Sequence, residues 1–242
     1  MEEKSILITG CSSGIGICVA EGLLKRGYRV FATARKHEDV EALLNKGMES
    51  FQLDLDDSSS IKRAVHEVLN KTEGKLFALF NNGGFGQPGA VEDLRRDVLR
   101  EQFETNVFGY LELTNLILPT MRKQGYGRII QNSSILGFIS LPFRGAYTAS
   151  KHAVAGITKA LANEWAINNI QVNAIAPGYF RTDNTQALQD NPKRCSDIQK
   201  RIPAGVWGEP EQLAGTAVFL ASAASDYVNG HVLAVDGGWL AR

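Results

Sequence analysis

Tyr147 and Lys151 stand four residues apart in GAYTASKHAV, and Ser134 precedes Tyr147 by thirteen residues in RIIQNSSILG. Side chains at i and i+4 share one face of a helix, so this spacing sets an ammonium beside a phenol. A free tyrosine titrates at about pH 10, too high for efficient proton transfer at neutral pH. A fixed positive charge nearby favours the phenolate and lowers that value, making Tyr147 a candidate general acid/base. The chemistry implied is proton transfer to or from an oxygen, as in reduction of a carbonyl or oxidation of an alcohol. A lone Tyr-x-x-x-Lys is also an ordinary amphipathic helix surface, so its weight depends on the rest of the chain.

The elements that must carry these residues show as an alternation. SILIT, YRVFATA, SFQLD, LFALFNN, GRIIQNSS, IQVNAIAP and HVLAVDG read as seven buried strands. Helical patterns fall between them at about 14–26, 38–46, 58–73, 97–123, 147–168 and 210–222. This predicts an α/β fold: a doubly wound, Rossmann-type parallel sheet of seven strands with helices on both faces. No linker, repeat or low-complexity segment divides residues 1–242, which read as a single domain. The polar stretch 183–205 reads as a long irregular loop overhanging the carboxyl ends of the strands, where it is either mobile or functional.

Composition narrows the function classes. The 242 residues carry 26 Lys+Arg and 26 Asp+Glu with no long basic run, which argues against nucleic-acid binding. No stretch of about 18 apolar residues is present, so no membrane-spanning helix is expected. The strand-like run begins by residue 5, leaving no room for a signal peptide. Cys11, Cys18 and Cys195 are odd in number and lack metal-ligand spacing, which points to a reducing cytoplasm and no metal.

After the first strand, Gly10, Ser12, Ser13, Gly14, Ile15 and Gly16 open a helix. Glycines there let the backbone turn tightly and approach a pyrophosphate, whose charge favours a helix N-terminus. The spacing is G-x-x-x-G-x-G, and a merely tight strand–helix connection is the alternative. The second strand ends in Arg35 and Lys36 rather than in an acidic residue. A carboxylate at that point would accept hydrogen bonds from an adenosine 2′-hydroxyl. Arg35 can instead form charge-assisted bonds to a 2′-phosphate, each worth roughly 1.5–3 kcal/mol. NADP(H) is therefore preferred over NAD(H), a solvated Arg-Lys pair being the alternative. Asp54 and Leu55 end the third strand and could meet an adenine edge. Asn82, Gly83 and Gly84 follow the fourth and could let backbone approach a ribose.

Together these residues resemble the short-chain dehydrogenase/reductase family over nearly the whole chain. Its T-G-x-x-x-G-x-G segment is matched by Thr9 to Gly16, and its N-N-A-G by Asn81 to Gly84, with Gly83 in place of the usual Ala. Its active-site Asn, Ser, Tyr and Lys fall on Asn106, Ser134, Tyr147 and Lys151, and its P-G-x-x-x-T on Pro177, Gly178 and Thr182. The resemblance implies that Tyr147 protonates a carbonyl oxygen and that Ser134 hydrogen-bonds the same oxygen. It implies that Lys151 lowers the Tyr147 pKa and holds the nicotinamide ribose, and that Asn106 supports a proton-relaying water. Thr182 and the backbone near Phe180 would face the nicotinamide carboxamide. Ser133 is the rival to Ser134, but the thirteen-residue interval favours Ser134. The family's helices at 97–123 and 147–168 pack against a neighbour, implying a homotetramer or homodimer.

Within the family, residues up to about 147 (SILITGCSSGIG, NNGGFG, ISLPFRGAY) resemble an NADP-dependent, broad-range aldehyde reductase branch. From TKALANEWA onward the chain resembles a sugar-acid branch, 2-dehydro-3-deoxy-D-gluconate 5-dehydrogenase, as in VNAIAPGY, ASDYVNG and AVDGGWLAR. A natural or engineered mosaic of two branches would follow. Arg181, Asn184, Lys193, Arg194 and Arg201 then stand as candidates for a substrate carboxylate, with a solvated basic face as the favoured alternative. Phe85, Phe138, Leu141, Phe143 and Trp207 stand as an apolar aldehyde pocket, with plain core as the favoured alternative. The resulting expectation is an NADP(H)-dependent oxidoreductase acting on a small carbonyl or alcohol. Its rivals are NAD-dependent oxidoreduction of a deoxy keto-sugar acid and a catalytically silent dinucleotide-binding protein.

Overall fold

Short runs that are apolar on both sides of the backbone can be buried only between two layers of helix, and the central strands are, the two edge strands being partly open. The structure, a computed structural model, describes residues 4–242. Its strands are β1 (Ser5–Ile8), β2 (Arg29–Ala34), β3 (Glu49–Gln52), β4 (Ala78–Asn81), β5 (Gly127–Asn132), β6 (Ile170–Pro177) and β7 (Val232–Val235). They form one parallel sheet in the order β3-β2-β1-β4-β5-β6-β7. The order reverses between β1 and β4, and in such sheets the crevice outside the carboxyl ends at the reversal receives ligands.

The helices are α1 (Gly14–Leu24), α2 (His37–Asn45), α3 (Ser58–Lys71), α4 (Arg96–Phe103), α5 (Gly109–Gln124), α6 (Gly145–Trp165), α7 (Gln186–Gln189), α8 (Pro192–Arg201) and α9 (Glu211–Leu220). One face of the sheet is covered through Val19 and Leu23 of α1, Leu43 of α2 and Leu213 of α9. The other is covered through Ile61 of α3, Leu113 and Ile117 of α5, and Val154 and Leu161 of α6. Each such side chain, withdrawn from water, contributes about 1.5–3 kcal/mol. Among the described residues no helix is long and apolar enough to cross a membrane.

Two sequence expectations need correction. The pattern read as one helix over 97–123 is α4 and α5 joined by a π-helical turn, Glu104–Phe108, that contains Asn106. Apolar periodicity cannot see one extra residue in a turn, although such turns often mark functional positions. The stretch 183–205 is not irregular: a 3-10 turn (Asp183–Thr185) leads into α7 and α8. Asn191 caps α8 by accepting a hydrogen bond from the Arg194 amide at 3.0 Å, with Pro192 in the first turn. That Asn-Pro start was the available signal. The helices are polar outside and bury few side chains, so hydrophobic pattern alone missed them.

Candidate active site

β1 delivers its chain into a left-handed turn at Gly10 (φ 67°), after which Gly14 starts α1. A Cβ at Gly10 would come within 2.5 Å of the Gly83 Cα, and one at Gly16 within 2.1 Å of the Gly10 carbonyl oxygen. The loop is thus pressed against the end of β4 with no room for side chains. Thr9, fully buried, fastens it there: its hydroxyl accepts from the backbone amides of Asn82 (2.9 Å) and Gly83 (2.8 Å). Asn82 returns the contact by donating to the carbonyls of Thr9 (2.9 Å) and Gly10 (3.1 Å). Ser13 at the N-cap of α1 makes no capping bond, so the first amides of the helix have no partner from that side chain. Backbone amides at a helix N-terminus, beside glycines that admit close approach, form a cradle for a phosphate group. The residues present therefore fit a dinucleotide.

The cleft above this cradle is a cavity of about 560 Å³. Gly10, Ser12, Ser13, Gly14, Ile15 and Gly16 line its floor, and Arg35, Asp54 and Leu55 its outer end. Asn82, Gly83 and Gly84 line the middle, and Pro177, Gly178, Phe180 and Thr182 the wall beyond β6. Arg35 is exposed and enters no ion pair among the described residues. Lys36 does not join it: exposed and outside the lining, it pairs with Glu38 at 3.3 Å. At Gly83 a Cβ would sit 3.2 Å from the Leu55 Cδ1 and 3.3 Å from the Gly10 nitrogen, so an alanine there would fit only with a small shift of its neighbours.

Ser134, Tyr147 and Lys151 lie at the inner end. Ser134 follows β5, its hydroxyl accepting from the Leu136 amide at 3.1 Å and bonding to Tyr147. The rival Ser133 also lines the cavity, but its buried hydroxyl donates to the Lys151 carbonyl at 3.2 Å. Tyr147 and Lys151 sit in successive turns of α6, with the Lys151 Nζ 5.5 Å from the Tyr147 ring centre. That ammonium donates to the Asn132 carbonyl at 2.6 Å, and burial brings its pKa down to about 7. Burial raises the Tyr147 pKa, countered by the Ser134 hydrogen bond and by the charge of Arg144. Arg144, which the spacing did not point to, is thus a second cation acting on the phenol beside Lys151, whose ammonium lies over the ring. Asn106 is buried and does not line the cavity. Its amide clasps the Phe85 backbone, donating to the carbonyl at 2.8 Å and accepting from the amide at 3.2 Å, and reaches the Ser150 hydroxyl at 3.4 Å.

The substrate end departs most from expectation. Of the basic and amide candidates only Asn184 lines the cavity. Arg181 pairs with Glu209 at 3.3 Å, Arg201 stacks 4.1 Å from the Trp239 ring centre, and Lys193 and Arg194 face solvent from α8. Of the apolar candidates Phe85 and Leu141 line it, while Trp207 is core and Phe138 and Phe143 point to solvent. Sequence reading missed Asn132, Arg144, Tyr179 and Leu188, which do line it. Asn132 continues the clasp by donating to Asn82 at 3.0 Å, and its own amide oxygen is buried without a partner. Nothing local marks these residues; they meet only when β5, β6, α6 and α7 converge.

The comparisons agree with this geometry. The family described as enoyl-(acyl carrier protein) reductase matches residues 10–240. The chain is 44% identical over 247 residues to 2-dehydro-3-deoxy-D-gluconate 5-dehydrogenase of Bacillus subtilis (strain 168), covering 100% of this chain and 96% of that one. It is 41% identical over 250 residues to the enzyme of the same name from Dickeya dadantii (strain 3937), covering 100% and 97%. Among solved structures it is similar to a gluconate 5-dehydrogenase from Burkholderia cenocepacia J2315 in complex with NADP and tartrate. There the TM-score is 0.93 at 32% identity, covering 100% of this chain and 97% of that one. A clasped glycine cradle at the β1/β4 reversal, with Ser134, Tyr147 and Lys151 at its inner end, accompanies these full-length matches. The chain belongs to the short-chain dehydrogenase/reductase family, and is an NAD(P)-dependent oxidoreductase acting on CH–OH groups.

Proposed function

We propose that the enzyme transfers hydride between NADP(H), in preference to NAD(H), and a carbonyl/alcohol pair in a sugar acid of the 2-dehydro-3-deoxygluconate type. One observation carries this reading: a single cleft has an unpaired Arg35 at one end and Ser134, Tyr147 and Lys151 at the other. The full-length relatives named for that activity support the substrate class, and the NADP-bound neighbour supports the coenzyme. When bound, the nicotinamide supplies or accepts the hydride. The chain's own residues do the rest. Tyr147 gives its phenolic proton to the carbonyl oxygen during reduction and takes it back during oxidation. Ser134 donates a hydrogen bond to the same oxygen and offsets its developing charge. Lys151, anchored on the Asn132 carbonyl, faces the phenol and holds the ribose, while Arg35 meets the 2′-phosphate. Asn106 fixes the Phe85 backbone over the site and supports a relay water, and Thr182 and the Phe180 backbone face the carboxamide.

A second reading, reduction of simple aldehydes, is favoured by Phe85 and Leu141 in the lining. It goes with a mosaic origin in which residues up to about 147 come from an aldehyde reductase branch; separate comparisons of 1–145 and 155–242 that return the same relatives would remove the mosaic. Absorbance-monitored oxidation of NADPH and NADH separates the substrate readings, using aldehydes, a cyclic ketone and a keto-sugar acid. Turnover of the keto acid, faster with NADPH, is expected. Turnover confined to aldehydes would replace the sugar-acid class by the second reading. A homotetramer is part of the proposal, supported by Phe108, 51% exposed on the π-helical turn beside Phe103. Light scattering that gives a monomer would refute it.

A further inference from the structure

Arg144 is the residue immediately before α6, three before Tyr147, and it lines the cavity beside Leu141, Tyr147 and Tyr179. It is half-buried, yet among the described residues no carboxylate pairs with it and its guanidinium donates no hydrogen bond. Withdrawn charge of this kind is ordinarily paired, because five donors removed from water without acceptors are costly. Its backbone is firmly placed. The Arg144 carbonyl accepts from the Thr148 amide at 2.8 Å, and the preceding Phe143 carbonyl accepts from the Gly89 amide at 3.0 Å. Phe143 itself holds φ 62°, a left-handed conformation that a bulky residue adopts only when its surroundings impose it.

The charges around it leave one gap. Arg35 lies at the far end of the cleft, and Lys151 is committed to the Asn132 carbonyl. Of the acids in the lining, Asp54 and Asp56 stand with Leu55 at the outer end, and Asp183 does not pair with Arg144. Leu136, Leu141 and Leu188 make the remaining wall apolar, which strengthens any charge–charge contact made there. Arg144 also lies close enough to both phenols, Tyr147 and Tyr179, for its charge to lower the pKa of each; Tyr179 feels Arg201 and Arg194 as well, but neither lines the cavity.

We infer that Arg144 is the receptor for the carboxylate of an acidic substrate, selecting sugar acids over neutral carbonyl compounds while their reacting oxygen rests on Tyr147 and Ser134. This rests on the proposed function for the reacting end and adds the group that sets substrate class. A guanidinium fork binds a carboxylate through two parallel bonds, a geometry that neither an ammonium nor an alkyl chain reproduces.

The test compares wild type, Arg144→Met and Arg144→Lys, with NADPH binding confirming that each variant is folded. The readout is the ratio of kcat/KM for a keto-sugar acid to that for a neutral ketone. Arg144→Met should lower this ratio on the order of 100-fold, the loss of two charge-assisted bonds, and Arg144→Lys should recover part of it. A ratio unchanged in Arg144→Met overturns the inference and assigns Arg144 to tuning Tyr147 alone. Inhibition by tartrate of neutral-ketone reduction gives an independent readout. A competitive inhibition constant raised at least tenfold in Arg144→Met supports the carboxylate site even if the wild type turns over no sugar acid, in which case only the proposed substrate falls. Equal inhibition of wild type and Arg144→Met, or none of the wild type, overturns the site itself.

Discussion

The two ends of the cleft are built differently. The coenzyme end is made of backbone: glycines at 10, 14 and 16, a buried threonine, and an asparagine whose amide bridges two strands. It rests on the central strands, over the larger cores. The substrate end is made of side chains from β5, β6, α6 and α7, resting on a small separate cluster around Ile135, Leu136, Ile202, Trp207 and Trp239. A backbone cradle reads a feature every dinucleotide shares and tolerates no added atoms. A side-chain wall can change chemistry one residue at a time, which is how one fold comes to serve many substrates.

The largest effect that would sharpen this contrast belongs to the reacting end. Tyr147→Phe should cost kcat about 10²- to 10⁴-fold, the usual worth of a positioned general acid, with NADPH affinity nearly unchanged. Retained turnover would remove Tyr147 from proton transfer. Arg35→Asp should come next, raising the KM for NADPH roughly 10- to 100-fold while that for NADH moves little, as expected for loss of one charge-assisted contact to a 2′-phosphate. Equal changes for both coenzymes would detach Arg35 from that phosphate.

The backbone end can be probed by adding single methyl groups. Gly16→Ala puts a Cβ 2.1 Å from the Gly10 carbonyl and should destabilise the fold by about 1–3 kcal/mol with loss of coenzyme binding. Gly83→Ala meets the flexible Leu55 side chain at 3.2 Å and the Gly10 backbone nitrogen at 3.3 Å, needs only a small adjustment, and should cost clearly less than Gly16→Ala, about 1 kcal/mol or below. Urea unfolding of both variants checks the pair, and similar losses would contradict the cradle's geometry.

A pH effect, spread over several units, is the mildest. Burial lowers the Lys151 pKa from 10.5 to about 7. Between those values the unfolded chain carries a proton on Lys151 that the folded, coenzyme-free protein does not. Stability therefore rises with pH across that window and gains nothing further from this group outside it. Replacing Lys151 by Met should remove up to about 1.4 kcal/mol per pH unit of that slope, read from urea midpoints between pH 7 and 10.5. Identical slopes in both proteins would mean that Lys151 keeps its ordinary pKa when folded.

The coenzyme half was readable because its chemistry is local. Thr9 to Gly16 is one strand–turn–helix, and Ser134, Tyr147 and Lys151 are set by one strand end and one helix face. What escaped reading depends on convergence or on backbone register. The π-helical turn around Asn106 adds one residue to a helix without altering its apolar pattern. Lys36, adjacent to Arg35, turns to Glu38 instead of the cleft, a choice made by the start of α2. The helices α7 and α8 were obscured because their sequence is polar, although Asn191-Pro192 announces one of them.

By itself, then, the chain determined the order of strands and helices, the glycine cradle and the spacing of serine, tyrosine and lysine. Each of these follows from periodicity or from the conformational range of a few residues. Only the tertiary structure decided which cations line the cleft, because Arg144 enters it while Arg181, Lys193, Arg194 and Arg201 stay outside. It also decided how deeply the Tyr147 phenol is buried, which raises its pKa. Charge and burial are properties of a site's surroundings, and those surroundings come from segments far apart in sequence.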